Sequence, residues 1–317
     1  MIGTLTLSLL ANELAGRLIG SDVEFSEVST DTRTLSDGAV YLALKGERFN
    51  GNEFIRQARE RGACGAIVSE GVSDEIAADL SLLQVADTHE ALAEIARINR
   101  ERGNARVIAL TGSQGKTTVK EMLGSILRRS APTLITAANL NNTIGVSLTL
   151  LQLNEQHAYA VVEMGADTAG EIAFSSRTAQ ADIAVITNAS AAHIEGFGSL
   201  QGIVSAKGEI IDELSEDGIL LLNADDQHAG VWADRAGHRR TIFFACERTE
   251  SADYYAADIQ LENEGRVSFK MVSPVGEQDI SMQRLGKHNV TNALAAAGAA
   301  IEAGASLHDV AAGLAEL

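Results

Sequence analysis

Aromatic side chains make up only 4% of this 317-residue chain, with one Trp, four Tyr and eight Phe. Its cores must therefore be built from Ala, Leu, Ile and Val, and the stacking platforms that single-stranded nucleic acid needs are not expected. Positive charge is also scarce. Against 43 Asp plus Glu there are 25 Lys plus Arg, a net charge of −18, which excludes attraction to a nucleic-acid backbone by general electrostatics. Any anionic ligand must be held by a local site. Cysteine is limited to Cys64 and Cys246, without metal-ligand spacing, so a disulfide frame and a thiolate metal site are excluded and both read as buried free thiols. No apolar run reaches the ~18 residues of a membrane span. The opening MIGTLTLSLLANELAG lacks a basic segment and soon meets Asn12 and Glu13, so no signal peptide is read and a cytoplasmic protein is expected. At roughly 150 residues per domain, the length predicts two domains.

Residues 1–86 mix helix and strand signals. Helical spacing runs from Leu5 to Ala15, and VSTDTR (28–33) and AVYLALKG (39–46) read as strands split by Ser36-Asp37-Gly38. Asn52 to Arg61 reads as a helix stopped by Gly62, followed by strands at 63–69 and 82–87. An amphipathic helix from Thr88 to Arg102 then leads into a regular alternation of apolar runs and helices: VIALTG, TLITA, AYAVVEMGA, DIAVITNAS and GILLLNADD. Strands apolar on both faces and separated by helices predict a doubly wound parallel sheet covered on both sides. A more antiparallel region is expected at about 240–283, and helices at 289–303 and 306–316 close the chain. The fold class is thus α/β, with a small mixed N-terminal domain at 1–86 and a doubly wound domain at 87–317 carrying an additional antiparallel β region.

The sharpest local signal is TGSQGKTT, from Thr111 to Thr118, between a buried strand and an amphipathic helix. In that setting, backbone N–H groups of Gly112, Ser113, Gln114 and Gly115 can face phosphate oxygens. Lys116 can reach the terminal phosphates, and a Thr117 or Thr118 hydroxyl can ligate Mg²⁺. The loop departs from G-x-x-x-x-G-K-[ST] because Leu110 stands at the first glycine position. Glu163 ends AYAVVE, Asn188 ends DIAVITN and His193 follows five residues later, which puts polar groups where doubly wound sheets place their sites. Alone, Glu163 reads equally as a capping or solvated carboxylate, and His193 as a loop histidine. Their shared location argues for a metal site beside the phosphates.

These motifs resemble the Mur ligases of peptidoglycan synthesis, and the resemblance runs from residue 1 to 317. STDTRTLSDGAVYLALKGERFNGNEFIRQARERGACGAIV is similar to the family's uridine-nucleotide-binding domain, TGSQGKTTVKE to its ATP loop and NLNNTIGVSLTLL to its asparagine-rich substrate loop. VVEMGADTAGEI, NASAAHIEGFGSLQGIVSAKGEI and LGKHNVTNALAAAGAA resemble, in order, its glutamate strand, its histidine and lysine segment and its nucleotide-contacting helix start. The resemblance implies ATP and Mg²⁺ as cofactors. The implied reaction activates the terminal carboxylate of UDP-N-acetylmuramoyl-tripeptide as an acyl phosphate, which the amine of D-alanyl-D-alanine then attacks.

Roles follow from the same resemblance. Lys116 would stabilise the transferring phosphoryl group, Thr117 and Glu163 would hold one Mg²⁺, and His193 with Glu163 a second. Lys207 matches a lysine that is carbamylated in several members and then acts as a metal ligand. Asn289 and Asn292, with His288 adjacent, correspond to residues near adenine and ribose, although Asn289 also reads as a helix cap. Ser29, Thr30, Asp31, Thr32, Arg33, Lys45 and Gly46 would contact the UDP moiety, and Asn139, Asn141 and Asn142 would line the muramoyl-peptide channel. The chain departs from the family pattern at Asn50-Gly51-Asn52, Gln114, Ala138 (usually Gly), Thr143, Ser147 and Asp167-Thr168.

Family members continue into a third domain that helps bind nucleotide and D-alanyl-D-alanine, and the resemblance implies that this chain stops where that domain would start. A monomer without nucleic-acid partners or membrane insertion is expected. Three other readings stay open: the Mur ligase that adds the third peptide residue, a non-catalytic nucleotide- or UDP-sugar-binding paralogue, and a simple P-loop kinase or GTPase. The last is disfavoured by the 1–86 block and the absent first glycine.

Overall fold

A computed structural model describes all residues except 47–48, 192–193, 262–265 and 284–285, and at 74–75 and 194–195 it describes the backbone without the side chains. The chain forms two units, one of Met1–Gly103 with Leu150–Glu155 and one of Asn104–Thr149 with Gln156–Leu317.

The first unit is built on a five-stranded sheet in the order Arg17–Ile19, Ser81–Gln84, Gly65–Val68, Val40–Leu42, Val28–Ser29. Its first pair is antiparallel and the rest are parallel. Tyr41, Ala43, Ile55, Ala58, Ala66, Val68 and Leu82 pack one face into a core. The segment expected as a strand at 28–33 keeps strand structure only at Val28–Ser29. Beyond it, Ser29 Oγ accepts the N–H of Asp31 and Asp31 Oδ1 accepts the N–H of Arg33. Short polar side chains satisfy their own backbone there and bend it into a turn. The helix expected from Asn52 begins as a 3-10 turn, Gly51–Phe54, before Ile55–Glu60.

The second unit carries a nine-stranded sheet among the described residues. Its order is Thr133–Ile135, Tyr159–Glu163, Arg106–Thr111, Ile183–Ile186, Ile219–Asn223, Arg240–Ala245, Tyr254–Leu261, Val267–Ser273, Gly276–Met282. The first seven run parallel. The central strands are apolar on both faces because helices cover both sides, as the sequence pattern requires. Antiparallel pairing starts only between Tyr254–Leu261 and Val267–Ser273, later than the expected start near 240. TIFFA can pair parallel with Ile219–Asn223 because the helix Ala229–Ala236, which the sequence reading passed over, supplies the crossover. The antiparallel ribbon therefore extends the same sheet.

Strand order reverses around Arg106–Thr111, whose two successors in the chain go to one side and whose later partners go to the other. This switch point opens a crevice at the strands' carboxyl ends. Below it, the helix Lys116–Ser130 packs against Lys287–Ala303 and Leu307–Ala315 through Val119, Leu123, Ile126, Leu294, Ala297 and Leu314. The approach is close at Gly313, where an added Cβ would lie 2.6 Å from Ile126 Cα. Gly313→Ala is therefore expected to lower unfolding stability by about 1–3 kcal/mol through overpacking. Chemical denaturation reads this directly, and a variant as stable as the parent would refute such close helix contact.

A phosphate-loop site with a buried carboxylate

The strand Arg106–Thr111 ends at the switch point, and Gly112–Gly115 turn the chain into the helix Lys116–Ser130. Gly112 is required by close approach, since a Cβ there would lie 1.9 Å from Thr187 Oγ1. Gly115 has φ +82, and a Cβ would meet Asn292 Oδ1 at 2.5 Å. The residues after the neighbouring strand clamp the turn. Asn188 accepts the Ser113 N–H on its carbonyl and the Gln114 N–H on its Oδ1, while Thr187 Oγ1 and Asn188 Nδ2 both donate to the Gln114 carbonyl. The Ser113 and Gln114 N–H groups are thus engaged within the protein. The start of the helix, at Gly115 and beyond, is the part of the turn suited to an anion.

Lys116 Nζ donates to Gly112 O at 2.6 Å, folding back over the turn. Burial lowers its pKa, partly offset by the charge of Glu163. Glu163 is 1% exposed at the tip of Tyr159–Glu163. Its Oε1 accepts from Thr117 Oγ1 at 3.2 Å and Asn141 Nδ2 at 2.9 Å. Its Oε2 is buried without a hydrogen-bond partner, with the Lys120 ammonium at 3.7 Å. A buried oxygen left with an open lone pair beside a hydroxyl is a donor set that fits a hard divalent cation.

A cavity of about 360 Å³ opens beside this group, lined among others by Gly112, Lys116, Asn141, Asn142, Asp167 and Lys207. Lys207 comes from the helix Leu200–Gly208 and is 8% exposed. Burial, and secondarily the Lys116 charge, push its amine down to about 8. Asn141 also accepts the Gly165 N–H on its carbonyl. Asn142 Oδ1 accepts the Gly145 N–H at the start of Thr143–Leu151, so it caps that helix while standing in the cavity wall. Asn139 is exposed and outside the lining, and Thr118 follows on the helix, half-buried. Asn292 donates to Asn289 Oδ1 at 3.4 Å, and its contact with Gly115 brings the start of Lys287–Ala303 beside the phosphate loop. His193 lies outside the described residues.

In the first unit, Thr30, Asp31, Thr32, Arg33, Tyr41, Phe49, Phe54 and Gln57 line a cavity of about 580 Å³. The Asp31 carboxylate is held down to about 2, chiefly by hydrogen bonds from Arg33, and Thr32 donates to Gln57 Oε1 at 2.8 Å. Phe49 and Phe54 stack with centroids 5.5 Å apart. None of these aromatic or amide groups was singled out from the sequence, because single rings far apart in the chain carry no local pattern. Ser29 braces the turn from behind. Lys45 and Gly46 stand elsewhere, in a hairpin with Phe49–Asn50 where Lys45 pairs with Glu70 at 2.6 Å.

A parallel sheet with a phosphate loop at its switch point and a carboxylate on the adjacent strand tip defines a P-loop α/β domain. The Mur ligase middle domain family matches residues 110–300, and the family described as Mur ligase family, catalytic domain, matches residues 24–100. The chain belongs to the Mur ligase family. It is 44% identical over 314 residues to the UDP-N-acetylmuramoyl-tripeptide--D-alanyl-D-alanine ligase of Escherichia coli (strain K12), covering 99% of this chain and 68% of that protein. The crystal structure of MurF from Acinetobacter baumannii superposes with a TM-score of 0.90 at 38% identity, covering 99% of this chain and 68% of that one. MurF ligase from Thermotoga maritima in complex with ADP gives 0.78 at 27% identity, covering 90% and 65%. The chain spans about two thirds of the length of these relatives.

Gly115→Ala is expected to weaken ADP binding at least about tenfold, equivalent to 1.4 kcal/mol, because both the left-handed backbone and Asn292 oppose the new methyl. Titration calorimetry checks this, with circular dichroism to confirm folding. Unchanged affinity would remove the loop from the nucleotide site.

Proposed function

We propose that this chain carries the UDP-sugar-peptide-binding and ATP-activating parts of a cytoplasmic ligase that joins D-alanyl-D-alanine to UDP-N-acetylmuramoyl-tripeptide. The observation that carries the reading is the convergence of Lys116, Thr117, Asn141, Glu163 and the Lys207-lined cavity at one switch point, in a chain 44% identical to such a ligase.

A peptide carboxylate is a poor electrophile until one oxygen becomes part of a good leaving group. In the proposed reaction, that carboxylate oxygen attacks the γ-phosphorus of ATP and ADP departs, leaving an acyl phosphate. The amine of D-alanyl-D-alanine attacks the acyl carbon, phosphate leaves and the amine loses a proton, giving the amide. The protein's contribution is positioning and charge neutralisation. Lys116 swings from the Gly112 carbonyl to the transferring phosphoryl oxygens. Thr117 and Glu163 would hold one Mg²⁺, and His193 with Glu163 a second. Bound Mg²⁺ would supply charge neutralisation at the phosphates. Asn141 orients Glu163, and Asn142, in the cavity wall, would face the peptide. Asn289 and Asn292 approach the nucleoside from the helix start beside Gly115. In the first unit, Arg33, Asp31 and the Thr30 and Thr32 hydroxyls offer polar contacts to the UDP moiety, and the Phe49 ring offers a face for the uracil.

Phosphate release from ATP is the direct test. It is measured with UDP-N-acetylmuramoyl-tripeptide and D-alanyl-D-alanine, for this chain and for one extended by whatever sequence follows it. Tripeptide-dependent release in either is expected, reduced about a hundredfold or more in Lys116→Ala by loss of a charge on the transferring group. Nucleotide binding without tripeptide-dependent turnover in both would instead support the non-catalytic paralogue.

Lys207 is proposed to take up carbon dioxide as a carbamate. Only the neutral amine reacts, so uptake rises with pH through about 8 where an ordinary lysine needs about 10.4. The expected signal is a carbamate carbon resonance with labelled bicarbonate, growing between pH 7 and 9 and missing in Lys207→Ala. Its absence from the parent across that range would leave Lys207 as a cation beside the phosphates.

A further inference from the structure

Lys120 stands one helical turn after Lys116 on the same helix, and its side chain is 1% exposed. Nothing in the proposed chemistry uses it. Burying an ammonium forfeits its hydration, so it persists only where fixed oxygens repay that loss. Three oxygens surround Nζ: Ala138 O at 3.2 Å, Glu121 Oε1 at 3.2 Å and Glu163 Oε2 at 3.7 Å. The contact with Ala138 is the informative one. Ala138 has φ +46, in the left-handed region that a Cβ opposes, and it opens the asparagine-rich loop. Three residues on, Asn141 reaches back to Glu163 Oε1. The loop is therefore held at two points, by Lys120 from the phosphate-loop helix at its first residue and by Glu163 from the neighbouring strand tip at its fourth.

We propose that Lys120 is a positioning residue whose buried ammonium ties the Ala138 carbonyl to the phosphate-loop helix, fixing residues 138–142 in the shape that receives the peptide substrate. This rests on reading that loop as the peptide-side wall of the cavity. Lys120 thereby links the shape of the peptide pocket to the helix that carries the phosphates, without touching either ligand.

The test uses Lys120→Met, which keeps the stem and removes the charge. It also uses Ala138→Pro, whose fixed negative φ turns the exposed residue out of the left-handed region while leaving Lys120 in place. Hydrogen–deuterium exchange of the ligand-free chain is expected to rise in peptides spanning 138–142 in both variants, with the strand Ile183–Ile186 unchanged. ADP affinity measured without Mg²⁺ should stay within about threefold, while UDP-N-acetylmuramoyl-tripeptide affinity falls about tenfold or more. The double variant should be no worse than the weaker single one, because both cut the same tie. Loop exchange at the parent rate, or parallel loss of ADP and tripeptide affinity, overturns the proposal. If Lys120→Met does not fold, Ala138→Pro decides alone by the same two readings. If the parent binds no tripeptide yet loop exchange rises in both variants, the substrate reading fails and the tie stands.

Discussion

The buried carboxylate of Glu163 is the constraint around which the second unit is arranged. An ionised carboxylate taken out of water must recover its solvation from fixed groups, or it takes up a proton. Here the recovery comes from three groups on two elements distant in the chain from Glu163: a hydroxyl and, one turn further along, a buried ammonium on the phosphate-loop helix, and an amide on the asparagine loop. The supply is incomplete at Oε2, which accepts no hydrogen bond. That deficit distinguishes it from a fully satisfied buried ion pair, because a hard cation placed there would find an oxygen still open to it. The same polar bonds that satisfy Glu163 thus hold the asparagine-rich loop and the phosphate-loop helix in register.

A net charge of −18 sets the second condition. ATP and a UDP-linked peptide are both highly anionic, and the field of the whole chain opposes them. Attraction must then be local and short-ranged. The phosphate-side cavity meets this with Lys116 and Lys207: burial lowers the pKa of both amines, and the Lys116 charge adds to the effect on Lys207. Two partly desolvated cations lining one cavity give it a locally positive potential that favours an anionic group.

Much of this was legible in the residues. Apolar runs separated by helices specified the parallel sheet, because burial on both faces leaves no polar alternation. TGSQGKTT marked its own switch point, since the two glycines sit where Thr187 and Asn292 leave no room for a Cβ. The less legible features share a physical cause: they depend on partners distant in sequence. The 28–33 segment read as a strand because its β-branched residues fit one, but serine and aspartate side chains bonded to their own backbone instead. Tyr41, Phe49, Phe54 and Gln57 meet only once the first unit's sheet has formed. Lys120, followed by Glu121, looks like a solvated charge pair on a helix surface, and only the position of Ala138 shows it to be buried.

Ala138 shows how a departure from a family pattern can be carried. The resemblance has glycine there, where a left-handed backbone carries little strain. Alanine in that conformation costs roughly 1–2 kcal/mol and persists only if its surroundings hold it. The Lys120 bond to its carbonyl holds it directly, and the Leu140 N–H bond to the Ala137 carbonyl closes the turn around it. The exchange also has an advantage, since alanine has fewer alternative conformations than glycine to lose when the loop orders. With glycine, the loop would reach its shape easily but leave it easily; with alanine, the shape is harder to reach and depends more on its anchors. The substitution therefore moves the rigidity of the asparagine-rich loop from backbone preference to the buried ammonium.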